Sequence, residues 1–158
     1  NGTAAIAAAA PSPAVAVAAL TNRRAAAARL LDEAAKRRLD IAVVCAGLDL
    51  GTVFSLEDSV SAGAIVEAVH EADGAVSMTD SAWAAMHLWQ WYRGDAMRAF
   101  RQSVHGRALR AMGFEQDLAY AARADTSDIV PMLYVEDGVK TLRLRPHRER
   151  AASRRGQV

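Results

Sequence analysis

Residues 43–69 read VVCAGLDLGTVFSLEDSVSAGAIVEAV. The apolar run 41–47 halts at Gly47, as the central strands of parallel sheets do. After a loop, Ser55 stands where a helix N-cap belongs. Asp58 falls at the third helical position, so Ser55, Leu56, Glu57 and Asp58 form an S-x-x-D variant of the capping box. The segment 56–72 is then a helix, with Leu56, Val60, Ile65, Val66 and Val69 able to share an inward stripe. A strand feeding a helix through a loop is the unit of α/β architecture.

The flanking sequence extends this pattern. The segment 14–20 alternates valine and alanine after Pro11 and Pro13 and reads as a short buried strand. Thr21 and Asn22 look like a cap for a helix over 23–38, which is rich in strong helix formers and basic in its last turn. Upstream, Thr3 is a candidate N-cap for a helix running to residue 10. Downstream, helices are expected over 79–93, from Gly94 and Asp95 to Phe100, over 103–113 with Gly113 just past its end, and over 114–125. Two strands close the chain, 129–135 and 139–145, with Asp137 and Gly138 as a two-residue hairpin turn. The order predicts a three-layer α/β/α fold with a mainly parallel sheet joined by right-handed crossovers, a helical block and a C-terminal β-hairpin. Two or three helix-linked strands make a thin sheet. With Asn1 in place of an initiator methionine, the chain reads as a piece of a longer protein whose N-terminal strands lie elsewhere.

The 158 residues suit one α/β domain over 1–144, followed by an arginine-rich tail over 145–158 expected to be disordered. Hydrophobic residues make up 52%, and 19 Lys and Arg balance 18 Asp and Glu. That balance argues against a nucleic-acid binder. The apolar stretch 4–20 is broken by two prolines and lacks a basic leader, so neither a membrane span nor a signal peptide is read there. A single cysteine, Cys45, excludes an internal disulfide and points to a reducing, cytoplasmic setting.

In open parallel sheets, ligands collect where strands feed loops and helix N-termini. Two such places are legible: Asn1, Gly2 and Thr3, and the loop from Cys45, Ala46 and Gly47 to Ser55, Glu57 and Asp58. Free helix-start amides suit a phosphate or sulfonate, and neighbouring carboxylates suit Mg²⁺. The plainer reading stands beside it: acidic residues in a first helical turn stabilise the helix by capping and through its dipole. Cys45 at a strand end reads as a small apolar filler. His70, His87, His105 and His147 show no metal-ligand spacing. Trp83, Trp89 and Trp91 read as a packing ridge or a subunit contact, which makes a homodimer possible. No phosphate-binding Walker loop, dinucleotide fingerprint, paired C-x-x-C or G-x-S-x-G is present.

Taken together, NGT (1–3) opening a helix, VVCAG (43–47), FSLEDSVSAGAIV (54–66) and GFEQDLAYAARADTSDIVP (113–131), with the closing hairpin, resemble the 2-phosphosulfolactate phosphatase family over roughly residues 1–143. The resemblance implies a Mg²⁺-dependent α/β/α hydrolase that removes phosphate from 2-phospho-3-sulfolactate, giving 3-sulfolactate for coenzyme M synthesis. It also implies Glu57 and Asp58 as catalytic and metal-binding residues. Asn1, Gly2, Thr3, Cys45, Ala46, Gly47 and Ser55 would meet the small phosphorylated acid. Ala62 and Gly63 match a small pair that lets a neighbour approach closely; Gly113, Phe114, Asp117, Asp125, Asp128 and Pro131 match the later motif. The family also has an N-terminal half, with an Asp-x-x-Arg-Ala-Thr-type segment, that has no counterpart here. The alternative is a catalytically inactive binding domain of the same fold.

Overall fold

The computed structural model describes residues 2–146, and of Leu50, Arg145 and Pro146 the backbone alone. The expectations for Asn1, for His147 and for residues 147–158 of the tail expected over 145–158 lie outside the described residues. Among the described residues seven α-helices run in order: α1 (Gly2–Ala9), α2 (Arg23–Arg37), α3 (Leu56–Ala72), α4 (Asp80–Tyr92), α5 (Ala96–Gln102), α6 (Val104–Ala111) and α7 (Glu115–Ala121). The strands β1 (Ile129–Glu136) and β2 (Val139–Pro146) follow.

Local chemistry sets most of these boundaries. The Asp58 N–H donates to Ser55 Oγ at 3.3 Å, which starts α3 where the capping box places it. Thr79, Asp95 and Ser103 cap α4, α5 and α6 through the same contact. Helix α6 ends in a Schellman motif: Phe114 N–H reaches the Leu109 carbonyl at 2.9 Å and Gly113 N–H the Arg110 carbonyl at 3.0 Å. Gly113 takes φ +88° there, a region that favours glycine. Asp137 and Gly138, at φ 51° and 78°, make the hairpin turn that pairs β1 with β2 antiparallel. Two expected caps are absent. Helix α1 begins at Gly2, with Thr3 inside it, and the Asn22 side chain makes no cap bond. Instead Asn22 accepts from the Ala19 amide and donates to the Ile129 carbonyl at 2.9 Å, tying the start of α2 to β1.

The expected parallel sheet is not there. Among the described residues the only sheet is the antiparallel β1–β2 hairpin, and the architecture is mainly helical. The segment 14–20 is extended only in part. It makes one antiparallel bridge, Ala16 to Met132, and then turns into a short 3₁₀ helix at Leu20–Asn22. The run 41–47 has no regular structure, and Val43, Val44 and Cys45 are exposed. Apolar continuity favours an extended chain, but a strand exists only where a neighbour takes its amides and carbonyls. No described segment does so for 41–46.

Three apolar clusters hold the elements together. Val60 and Ala64 of α3 pack with Trp89 and Tyr92 of α4, Ala99 and Phe100 of α5, and Leu118 of α7. Ala26 of α2 packs with Val130 and Met132 of β1. Ala27 meets Ala68 and Val69 where α2 crosses α3. Helix α3 is the central element, and its N-terminus faces the loop after residue 45.

Candidate functional site

The loop ahead of α3 is a small closed turn. Leu48 and Val53 exchange backbone hydrogen bonds at 3.1 and 3.2 Å around the 3₁₀ turn Asp49–Gly51. Gly47 enters it at φ +65°, where a side chain would press on the Gly51 backbone. The turn is fixed to α3 by the Gly47 N–H, which donates to Asp58 Oδ2 at 2.7 Å. Asp58 therefore gives its backbone N–H to the Ser55 cap and holds the loop through its side chain. Its Oδ1 makes no hydrogen bond among the described residues.

Asp58 opens onto a groove of about 480 Å³ bounded by α1, the segment 14–18, α2, the segment 39–46 and one face of α3. The groove brings together Gly2, Cys45, Ala46 and Asp58 of the expected site. Gly47 joins them through its bond to Asp58. Ser55 lies buried behind, as cap. Thr3 is exposed and not on the groove wall. Glu57 is not on it either: adjacent helical residues point about 100° apart, and the groove face of α3 runs through Asp58, Ser61, Ala62 and Ile65. One Glu57 carboxylate oxygen is buried with no hydrogen-bond partner among the described residues. Glu33, Asp40 and Asp58 are the charged residues of the described lining, which holds no Lys, Arg or His.

Cys45 is exposed, yet its thiol pKa is raised. Partial desolvation is the larger cause and the Asp58 carboxylate the second, while a hydrogen bond with Ser59 pulls the other way. Cys45 is thus held as a neutral thiol, a poor nucleophile. The rate of iodoacetamide alkylation will rise with pH through a midpoint above that of a free cysteine, and Asp58→Asn will move the midpoint down. An unchanged midpoint in the variant would separate Asp58 from the thiol.

Several other singled-out residues lie in packing or capping positions. Trp89 is buried, Trp83 lies between the rings of His70 and His87, and Trp91 is exposed. Asp125, at φ 53°, accepts the Arg24 amide at 3.0 Å and Arg23 Nε at 2.9 Å, so it caps α2 from 101 residues away. Among the described residues no three His, Cys, Asp or Glu side chains gather as a metal cage, and no helix is long and apolar enough to cross a membrane.

The family model for 2-phosphosulpholactate phosphatase matches residues 1–136. A probable 2-phosphosulfolactate phosphatase of Microcystis aeruginosa is 35% identical over 133 residues, which cover 84% of this chain and 53% of the relative. Proteins of the same description from Parasynechococcus marenigrum and Deinococcus radiodurans are 38% and 39% identical, each over 83% of this chain and 53% and 52% of their own. The chain spans about half the length of the curated relatives it matches.

Proposed function

The chain belongs to the 2-phosphosulfolactate phosphatase family, and on that premise we propose that it serves hydrolysis of a phosphate monoester on a small acid, 2-phospho-3-sulfolactate giving 3-sulfolactate. The observation that carries this reading is the placement of Asp58. Its carboxylate stands at the start of α3, beside the fixed Gly47 turn, on a groove that also takes in the first residue of α1. The positive end of the α3 dipole lies beside Asp58 and favours an anion there.

Mg²⁺ fits this donor set through Asp58. The ion binds through one or two carboxylates and substrate phosphate, keeping several waters, and needs no all-protein cage. When bound, it would neutralise phosphate charge as a Lewis acid. That help is needed, because the described lining carries carboxylates and no cation to meet a phospho-sulfo acid. Asp58 would hold the ion by Oδ1 while Oδ2 keeps the Gly47 turn closed. Glu57, turned away from the groove, would act on the stability of the helix start.

The test is phosphate release from 2-phospho-3-sulfolactate and a panel of phospho-acids, with Mg²⁺ and after chelation. It is run on the chain and on a chimera in which the part of the Microcystis relative that this chain does not match is joined to it. The expected result is Mg²⁺-dependent turnover that falls by roughly 100-fold or more in Asp58→Asn and much less in Glu57→Gln, both variants staying folded. No turnover on any substrate overturns the proposal in favour of a non-catalytic binding domain. Full activity in Asp58→Asn leaves the Asp58 side chain as an anchor of the Gly47 turn alone.

A further inference from the structure

Helix α2 turns one stripe toward β1, spaced 26, 29, 33 and 37, and that stripe changes character along its length. Ala26 is fully buried against Val130 and Met132. The next three positions are Arg29, Glu33 and Arg37, where a helix face set against a sheet is ordinarily apolar. There the two elements enclose a cavity of about 290 Å³, whose other walls include Pro13, Ala14, Met132, Leu133 and Tyr134. The groove of Asp58 is a separate space, although the stretch 12–15 and Glu33 border both.

The charges on this cavity are incompletely matched. Arg29 Nη2 lies 3.1 Å from Glu33 Oε1, and Arg37 Nε donates to Glu33 Oε2 at 3.0 Å. Each guanidinium gives Glu33 one nitrogen and keeps the rest of its fork without a described partner. Arg29 Nε is buried and makes no hydrogen bond among the described residues. A buried donor without an acceptor is costly. Since one contact alone holds the Arg29 guanidinium, it can turn that edge to a ligand in the cavity. Two guanidiniums against one carboxylate leave the described lining with one positive charge in excess. Lys36, 4.0 Å from Glu33, is exposed and not on the cavity wall.

We propose that this cavity binds a small organic monocarboxylate, its carboxylate bridging Arg29 and Arg37 and its apolar body lying on Pro13, Ala14, Met132 and Leu133. Guanidinium forks hold carboxylates by paired N–H bonds, and apolar walls strengthen those bonds by excluding water. The single excess charge matches a monoanion. A phosphate monoester would bring a second negative charge beside Glu33 with no further cation on the described lining. A neutral apolar molecule would leave Arg29 Nε as unpaired as before. The site needs no Mg²⁺ and stands apart from the phosphate chemistry proposed for the groove.

The experiment titrates the chain with benzoate, benzyl alcohol and phenyl phosphate in the presence of a chelator, followed by amide NMR shifts. The expected result is a benzoate Kd on the order of 1 mM or tighter, with shifts centred on 14–15 and 132–135 rather than on 41–46. Benzyl alcohol and phenyl phosphate will bind roughly tenfold more weakly. Arg37→Gln, at a position 49% exposed, will weaken benzoate binding by roughly tenfold. Arg29→Lys, which keeps the charge and loses the fork, will weaken it by roughly fivefold. Glu33→Gln will tighten it by about threefold, because the carboxylate competes for both arginines. Thermal melting checks that each variant is folded, and Arg37→Gln decides the matter even where Glu33→Gln does not fold. Benzyl alcohol binding as tightly as benzoate, an unchanged Kd in Arg37→Gln, or shifts confined to the groove overturns the proposal. Phenyl phosphate binding more tightly than benzoate overturns the choice of a carboxylate and makes the cavity a site for organic phosphates.

Discussion

Glu67→Ala will lower the melting temperature by roughly 6–20 °C, because removing one partner of a buried ion pair costs about 3–5 kcal/mol and each kcal/mol shifts a domain of this size by about 2–4 °C. The Glu67 side chain is 8% exposed and lies between three helices. Its Oε2 accepts the Trp89 indole N–H at 2.6 Å and lies 3.5 Å from Arg23, itself 9% exposed. Its Oε1 accepts from Gln90 and Arg93 at 3.3 and 3.2 Å. Arg23 also stacks over the Trp89 ring at 5.3 Å and reaches Asp125 at 2.9 Å. Alanine would leave a guanidinium and an indole N–H buried and short of a partner, and would open a cavity. Arg93 is 57% exposed, so its share is small. Glu67→Gln keeps the volume and an acceptor for Trp89 and will lose distinctly less. Thermal unfolding followed by circular dichroism checks this. Equal melting of both variants and the unmodified chain would mean that the network carries no net stability.

That network shows what the sequence could and could not reveal. Arg23, Glu67, Trp89 and Asp125 are far apart in the chain, and each alone reads as an ordinary helical or loop residue. Features written in neighbouring residues were legible: the Ser55 cap, the full span of α3, the Gly113 stop and the Asp137 and Gly138 turn. The Asp58 bond to Gly47 was not, since it spans eleven residues and depends on how the loop folds back. Nor could spacing alone show that Glu57 and Asp58 face different ways until the helix had a groove on one side. The expected strands failed for a different reason. Apolar runs at 14–20 and 41–47 express a preference for extended backbone, but a sheet is a relation between segments. Only Ala16 and its flanking residues found a described partner.

Gly63→Val will destabilise the fold by about 3 kcal/mol or more, at or beyond the upper end of the usual overpacking range. A Cβ at Gly63 would overlap the Ala85 carbonyl and come within 3.0 Å of Trp89 Cβ. The first obstacle is backbone, which no rotamer change can clear, so α3 and α4 would have to part. Alanine there faces the same overlap, and its gain in helix propensity of about 1 kcal/mol does not offset it. Gly94→Ala is the matched control, with nothing within 4 Å of its added Cβ, and will stay within about 0.5 kcal/mol of the parent. Urea denaturation of the three variants measures these differences. Parting the helices would also lengthen the bond between Trp89 and Glu67, which spans the same crossing. The double variant Gly63→Val, Glu67→Ala will therefore lose less than the two single losses together, as residues in one packed unit do. Strict additivity would show that the crossing yields at some other point and that the Trp89 bond survives the first change.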